Sequence, residues 1–164
     1  VQIASAEGYP FWAAGSTVLR GWARAVGAKD PAGVDEIRRG LSQWLATGSR
    51  TYQPYFLGLL ADALLATGST CEALSIAREG VELAESLGEG LYAAELHHLH
   101  GQSLLRSKPE DPTALAEAEA CFRRGLAIAR QQKAASFVRR IESSLAPLDS
   151  PPPTKRGRNG VVAG

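Results

Sequence analysis

Arg38-Arg39-Gly40-Leu41 returns as Arg78-Glu79-Gly80-Val81 and again as Arg123-Arg124-Gly125-Leu126, at spacings of 40 and 45 residues. Self-similarity at such a period marks stacked repeats rather than a fold with one central core. Leu19, Leu59 and Leu99 keep the 40-residue step, and each stands two places before a small residue, Gly21, Ala61 or Gly101. Gly33 and Ala73 follow the first two of those by 12 residues, whereas Ala118 follows the third by 17. The extra residues fall in Lys108-Pro109-Glu110-Asp111-Pro112, which reads as a longer loop. Gly8, Gly48 and Gly88 share the phase, as do Val1, Leu41 and Val81.

Each repeat reads as two amphipathic helices. Segment 11–27 carries Trp12, Val18, Leu19, Trp22, Ala23 and Val26 at three- and four-residue steps, and 31–47 carries Val34, Ile37, Leu41, Trp44 and Leu45. That spacing places one apolar stripe on each helix. The pattern returns over 53–67 with 70–87 and over 92–107 with 112–131, and a last helix over 134–146 presents Phe137, Val138, Ile141 and Leu145. No stretch alternates with the period of a strand, so the expected fold class is all-α.

The boundaries have local causes. Asp30-Pro31 and Asp111-Pro112 each supply a capping carboxylate followed by a proline, whose missing N–H is harmless at a helix start. Ser69 and Glu72 have capping-box spacing. Gly48, Gly68 and Gly88 stand where a helix C-terminus favours a left-handed residue. A glycine inside a helix costs about 1 kcal/mol relative to alanine. Phased glycines at 21, 33, 40, 80 and 125 therefore imply close backbone approach between antiparallel helices.

Composition narrows the function classes. The chain has 164 residues, 45% of them hydrophobic, and a formal net charge of +1. Lys155, Arg156 and Arg158 against Asp149 account for +2 of that, which leaves the remainder near −1. A near-neutral body lacks the basic face of a nucleic-acid binder. No apolar run approaches the roughly 18 residues a membrane span needs, and no signal peptide is evident, so the expected location is cytoplasmic. Two cysteines, Cys71 and Cys121, are too few for a disulfide framework or a four-cysteine zinc site. There is no methionine, even at residue 1, which suggests a piece of a longer protein.

At this point the chain resembles a known family, the tetratricopeptide repeat, whose helix–turn–helix unit has small residues at its eighth, twentieth and twenty-seventh positions. Gly21, Gly33 and Gly40 stand there in one unit, Ala61, Ala73 and Gly80 in the next, and Gly101, Ala118 and Gly125 in the third. The period of 40 to 45 departs from the family's 34 and implies longer helices. The resemblance implies antiparallel helix pairs stacked as a right-handed α-solenoid. Its units are 9–48, 49–88 and 89–133, preceded by the end of a truncated repeat over 1–8. A capping helix over 134–147 and a disordered Pro/Gly/basic tail over 148–164 follow. Gly8-Tyr9-Pro10-Phe11-Trp12, Leu19-Arg20-Gly21-Trp22-Ala23, Pro54-Tyr55-Phe56-Leu57, Ala94-Glu95-Leu96-His97 and Ala118-Glu119-Ala120-Cys121-Phe122 resemble a narrower group. Those are the C-terminal repeats of large bacterial signalling proteins, in which a cyclase or DNA-binding domain precedes a P-loop ATPase domain. No Gly-x-x-x-x-Gly-Lys-Ser/Thr loop occurs here, so any such activity is expected upstream.

The family register also implies a partner-facing groove on the first helix of each pair. It comprises Val18 and Trp22, then Tyr55, Asp62 and Leu65, then Glu95, His98, Gln102, Leu105 and Arg106. Trp and Tyr would anchor a protein or peptide there, unless Trp22 and Tyr55 only pack between repeats. Other chemistry reads as structural. His97, His98 and His100 crowd one turn with Glu95 nearby, but the i, i+4 spacing of a helical zinc site is missing. One histidine is expected to pack and two to face solvent, with His98 on the groove, and no metal site is expected. Cys71, at a helix start, and Cys121 read as core thiols, although a helix N-terminus can activate a thiol. Asp35 with Glu36, and Glu117 with Glu119, diverge around their helices and read as solvated faces.

The expected function is a non-enzymatic protein–protein interaction or scaffold module, the C-terminal sensor or regulatory part of a cyclase- or ATPase-type signalling protein. It needs no cofactor, and its partner is a protein, a peptide or the parent's own catalytic domains. Self-association is expected through an apolar edge at Val1, Ile3, Phe11 and Trp12. The alternatives are a ligand-sensing region of an ATPase-containing transcriptional regulator and a metal- or thiol-active domain using His97 and His100 or Cys71.

Overall fold

The computed structural model describes residues 9–149, so the expectations for residues 1–8 and for the tail from residue 150 lie outside it. Within that span the chain forms α1 (Pro10–Ala28), α2 (Ala32–Ala46), α3 (Gln53–Ala66), α4 (Thr70–Leu87), α5 (Ala93–Ser107), α6 (Pro112–Gln131) and α7 (Ala135–Asp149). There is no strand among the described residues, and the fold is all-α. Helix limits differ from those read in the sequence by a residue at most, except that α7 carries Pro147 near its end and runs to Asp149, so Leu148 and Asp149, expected in the disordered tail, are helical.

Capping explains most of the boundaries. Asp111 accepts a hydrogen bond from the Thr113 N–H at 2.9 Å, and Asp30 accepts one from the Ala32 N–H at 3.0 Å. The Ala32 bond, reinforced by Arg24, holds the Asp30 carboxyl below its ordinary value. Gly48, Gly68 and Gly88 all adopt the left-handed conformation, with φ of 80°, 90° and 66°. The capping box at Ser69 does not form: Ser69 makes no side-chain cap bond, its N–H donates to the Leu64 carbonyl at 2.9 Å, and Glu72 pairs with Arg38 of α2.

Sequential helices pack on one another, α4 on α5 as well as α1/α2, α3/α4 and α5/α6. The contacts of Gly21 with Gly33 and Gly40 with Val18, and of Gly101 with Ala118 and Gly125 with Ala94, make α1/α2 and α5/α6 antiparallel, and α1, α3 and α5 run parallel. The glycines set the closest contacts. A Cβ on Gly21 would lie 2.6 Å from the Gly33 carbonyl oxygen, and one on Gly40 would lie 2.8 Å from the Val18 nitrogen. Gly125 approaches the Ala94 carbonyl in the same way. Gly80 differs, since its nearest neighbour is the end of the Leu96 side chain.

The parallel neighbours are joined by recurring polar bonds. Trp22 donates to Asp62 at 2.8 Å across α1 and α3, Arg106 donates to the Leu65 carbonyl at 3.3 Å across α5 and α3, and Arg140 donates to Glu95 at 2.8 Å across α7 and α5. Helix α3 lies among α1, α2, α4 and α5, which is why its sequence is apolar on nearly every side. Trp44 closes the first junction against Phe11 and Phe56, at ring distances of 3.8 and 4.8 Å. Its ring lies over Gly15. One repeat later Tyr55 and Ala84 take the places of Gly15 and Trp44, and Tyr55 now fills the junction against Tyr92 at 4.9 Å. Volume lost on one helix is restored on the facing one, as a close-packed interior requires.

Candidate functional site

The ten groove positions do not form one open surface. Val18 is buried against Gly40, and Leu65 is buried in the same core. Glu95 and His98 retain only 2% and 1% of their exposure. Burial between helices removes these four from a partner-facing role. Trp22 and Tyr55 are half-buried, and both make contacts between parallel helices. Leu105 packs on the second core cluster. Trp22, Asp62, Gln102 and Arg106 keep accessible area along α1, α3 and α5. The register assigns a position to a helix face, but the side chain of the next helix decides whether that face stays open.

The histidines are also placed differently from the sequence reading. His98 is enclosed because α7 lies over that side of α5: its Nε2 is 2.9 Å from the Ser144 hydroxyl, and its ring is 5.6 Å from Phe122. His100 is buried, with Nδ1 at 3.6 Å from the Cys121 sulfur. His97 is half-buried. Burial lowers the His97 and His100 values below the ordinary histidine range.

Glu95, His98 and Ser144 stand in the order acid, imidazole, hydroxyl, which invites comparison with a nucleophilic triad. The geometry supports a structural role instead. His98 Nδ1 lies 3.6 Å from Glu95 Oε1, too long for a hydrogen bond, and the imidazole is sealed from solvent. Glu95 Oε1 is held by Arg140, whose guanidinium also lies 5.3 Å from the centre of the Phe137 ring. Glu95 Oε2 and His98 Nδ1 have no hydrogen-bond partner. Sequence reasoning passed over Arg140 and Ser144, although Arg140 follows Glu95 by the same 45 residues that separate the last two repeats.

Two other expectations change, those for Cys71 and Glu36, whereas Cys121 packs against the second core cluster as expected. Cys71 is exposed on the first turn of α4 and is not a core thiol. Cys121 is half-buried, and burial, with Glu117 adding to it, pushes its thiol up to about 11. Glu36 does not lie on a solvated face, for it is buried beneath Arg20 of α1 and pairs with it. Among the described residues no three His, Cys, Asp or Glu side chains meet as a metal-ligand set, and no helix is long and apolar enough to cross a membrane.

Comparison with protein-family models, curated proteins and solved structures finds no match for this chain.

Proposed function

We propose that this chain is a tetratricopeptide-type α-solenoid without catalytic chemistry of its own, which holds a protein or peptide partner. In this reading it is the cytoplasmic C-terminal sensor or regulatory part of a larger cyclase- or ATPase-type signalling protein. Burial compared in register carries the reading. Leu59 and Leu99 are 3% and 1% exposed, whereas Leu19, at the same position of α1, is 44% exposed. Phe56 and Leu96 are buried where Ser16 is half-buried. Leu60 and His100 are buried where Arg20 is exposed, and Ala63 and Ser103 are buried where Ala23 is exposed.

The outer face of α1 thus has the form of a repeat junction, with Trp12 (65% exposed) and Leu19 as its apolar anchors. Such a face suits an amphipathic helical partner, from the parent protein or from another chain. A partner that favours one curvature of the array would shift the population of the parent's active state.

A photo-crosslinking amino acid placed at position 12 in the source cells tests this. The expected result is a crosslink to one protein or to an upstream part of the same polypeptide, lost when Leu19→Glu is added. Crosslinking no stronger than from a control probe at Ser143 on α7 would overturn it.

A further inference from the structure

A cavity of about 240 Å³ opens where the end of α4, the start of α5 and the later turns of α6 converge. Its charged wall is Glu85 and Glu89 on one side and Arg124 on another, with His97 between them in sequence and in the lining. Its apolar wall is Ala84, Ala93 and Ile128.

Two observations set this place apart from an ordinary gap between repeats. The first is a departure from the repeat pattern. At the preceding junction the positions of Glu85, His97 and Ile128 hold Leu45, Leu57 and Leu83, and Leu57 is buried. Two apolar packing positions have thus become ionisable, Leu45 as Glu85 and Leu57 as His97, while Ile128 keeps the apolar character of Leu83, against the local rule that builds the preceding junction. The second is that these charges are not spent on one another. Glu85, Glu89 and Arg124 line one cavity with opposite signs, yet no ion pair joins them among the described residues. The rim is held in place by Gln132, which donates to the Gly90 carbonyl at 2.6 Å.

We infer that this cavity binds a small zwitterion, an α-amino acid with a short aliphatic side chain. The carboxylate would sit toward Arg124 and the start of α5, where the helix N-terminus favours negative charge. The ammonium would sit toward Glu85 and Glu89 at the end of α4, where the last carbonyls favour positive charge. The side chain would cover Ile128, Ala84 and Ala93. Two helix ends of opposite polarity and two sets of side chains of matching sign thus present one ordered pair of charges. The site is independent of the partner proposed for α1.

Amide chemical shifts of the full chain, titrated separately with L-leucine, 4-methylpentanoate and 3-methylbutylamine, test it. L-leucine is expected to shift the amides of Gly88, Gly90 and Ala93 saturably. Each single-charge analogue is expected to bind about tenfold more weakly or worse, the loss typical of a missing charge-assisted contact. Arg124→Gln is expected to weaken L-leucine by a similar factor while leaving the melting temperature unchanged, since Arg124 is exposed. Absence of saturable shifts at tens of millimolar, equal affinity for the analogues, or an Arg124→Gln protein that still binds would each overturn the proposal.

Discussion

Replacing Gly21 by alanine adds one methyl group at the point where α1 and α2 approach most closely. That methyl would lie 2.6 Å from the Gly33 carbonyl oxygen, 2.8 Å from the Ile37 nitrogen and 3.0 Å from Ile37 Cγ1. Ordinary carbon contacts are about 3.5–4.0 Å, and the two nearest atoms are backbone, so the helices themselves must separate. Overpacking of this kind costs about 1–3 kcal/mol, and rigid neighbours place it at the upper end. The gain in helix propensity returns about 1 kcal/mol. The net expectation is a loss of about 2 kcal/mol, or about 4–8 °C in melting temperature for a chain of this size. Gly80→Ala is the control, because the added methyl crowds the flexible Leu96 Cδ2 at 2.6 Å and meets Leu57 Cβ only at an ordinary 3.5 Å. A rotamer adjustment of about 0.5–1.5 kcal/mol there is offset by the same propensity gain, so its stability should be near wild type. Urea denaturation followed by circular dichroism measures both variants. A Gly21→Ala protein as stable as wild type, or a Gly80→Ala protein that falls equally far, would refute the close-approach argument.

Other consequences can be tested alongside. A double-mutant cycle on Trp22→Phe and Asp62→Ala should return a coupling of about 1 kcal/mol from the 2.8 Å bond between them; additive effects would show the bond contributes nothing. His97 and His100 have folded values lowered by burial, so the unfolded chain binds more protons and their contribution is complete above about pH 6.5. Stability should therefore fall as pH drops from about 6.5 through the folded values, and His100→Gln should flatten that slope; a urea midpoint unchanged down to pH 5 would contradict this. Sedimentation of the wild-type chain should show concentration-dependent association through Trp12 and Leu19 that Leu19→Glu abolishes, whereas a wild-type monomer at all concentrations would speak against the apolar edge. Iodoacetamide should label Cys71 rapidly and Cys121 slowly, because the Cys121 thiol is raised to about 11; equal rates would mean that α6 opens freely.

The helices and their limits were legible in the sequence because their causes are local. Apolar spacing, Asp111 before Pro112, and glycines at 48, 68 and 88 act within one or two turns, and the structure uses each of them. Pairing was legible too, through small residues at 21, 33 and 40 that only a close antiparallel neighbour explains. The Ser69 box is absent because the Ser69 N–H is already donated to the Leu64 carbonyl, and Glu72 pairs instead with Arg38, 34 residues away.

The candidate site depended on contacts between successive repeats, and those lie beyond local pattern. Which face of α5 is sealed follows from α7 arriving over Glu95 and His98, so His98 is enclosed and His97 is left beside a cavity. A helical periodicity states which residues share a face. It does not state what will cover that face, since the cover comes from a segment some 40 residues distant whose own side chains set the fit. For this protein the sequence by itself determined an all-helical chain with a 40-residue rhythm. Tertiary packing decided which members of that rhythm became core, which became ion pairs, and which stayed open on α1 and at the α4–α5 junction.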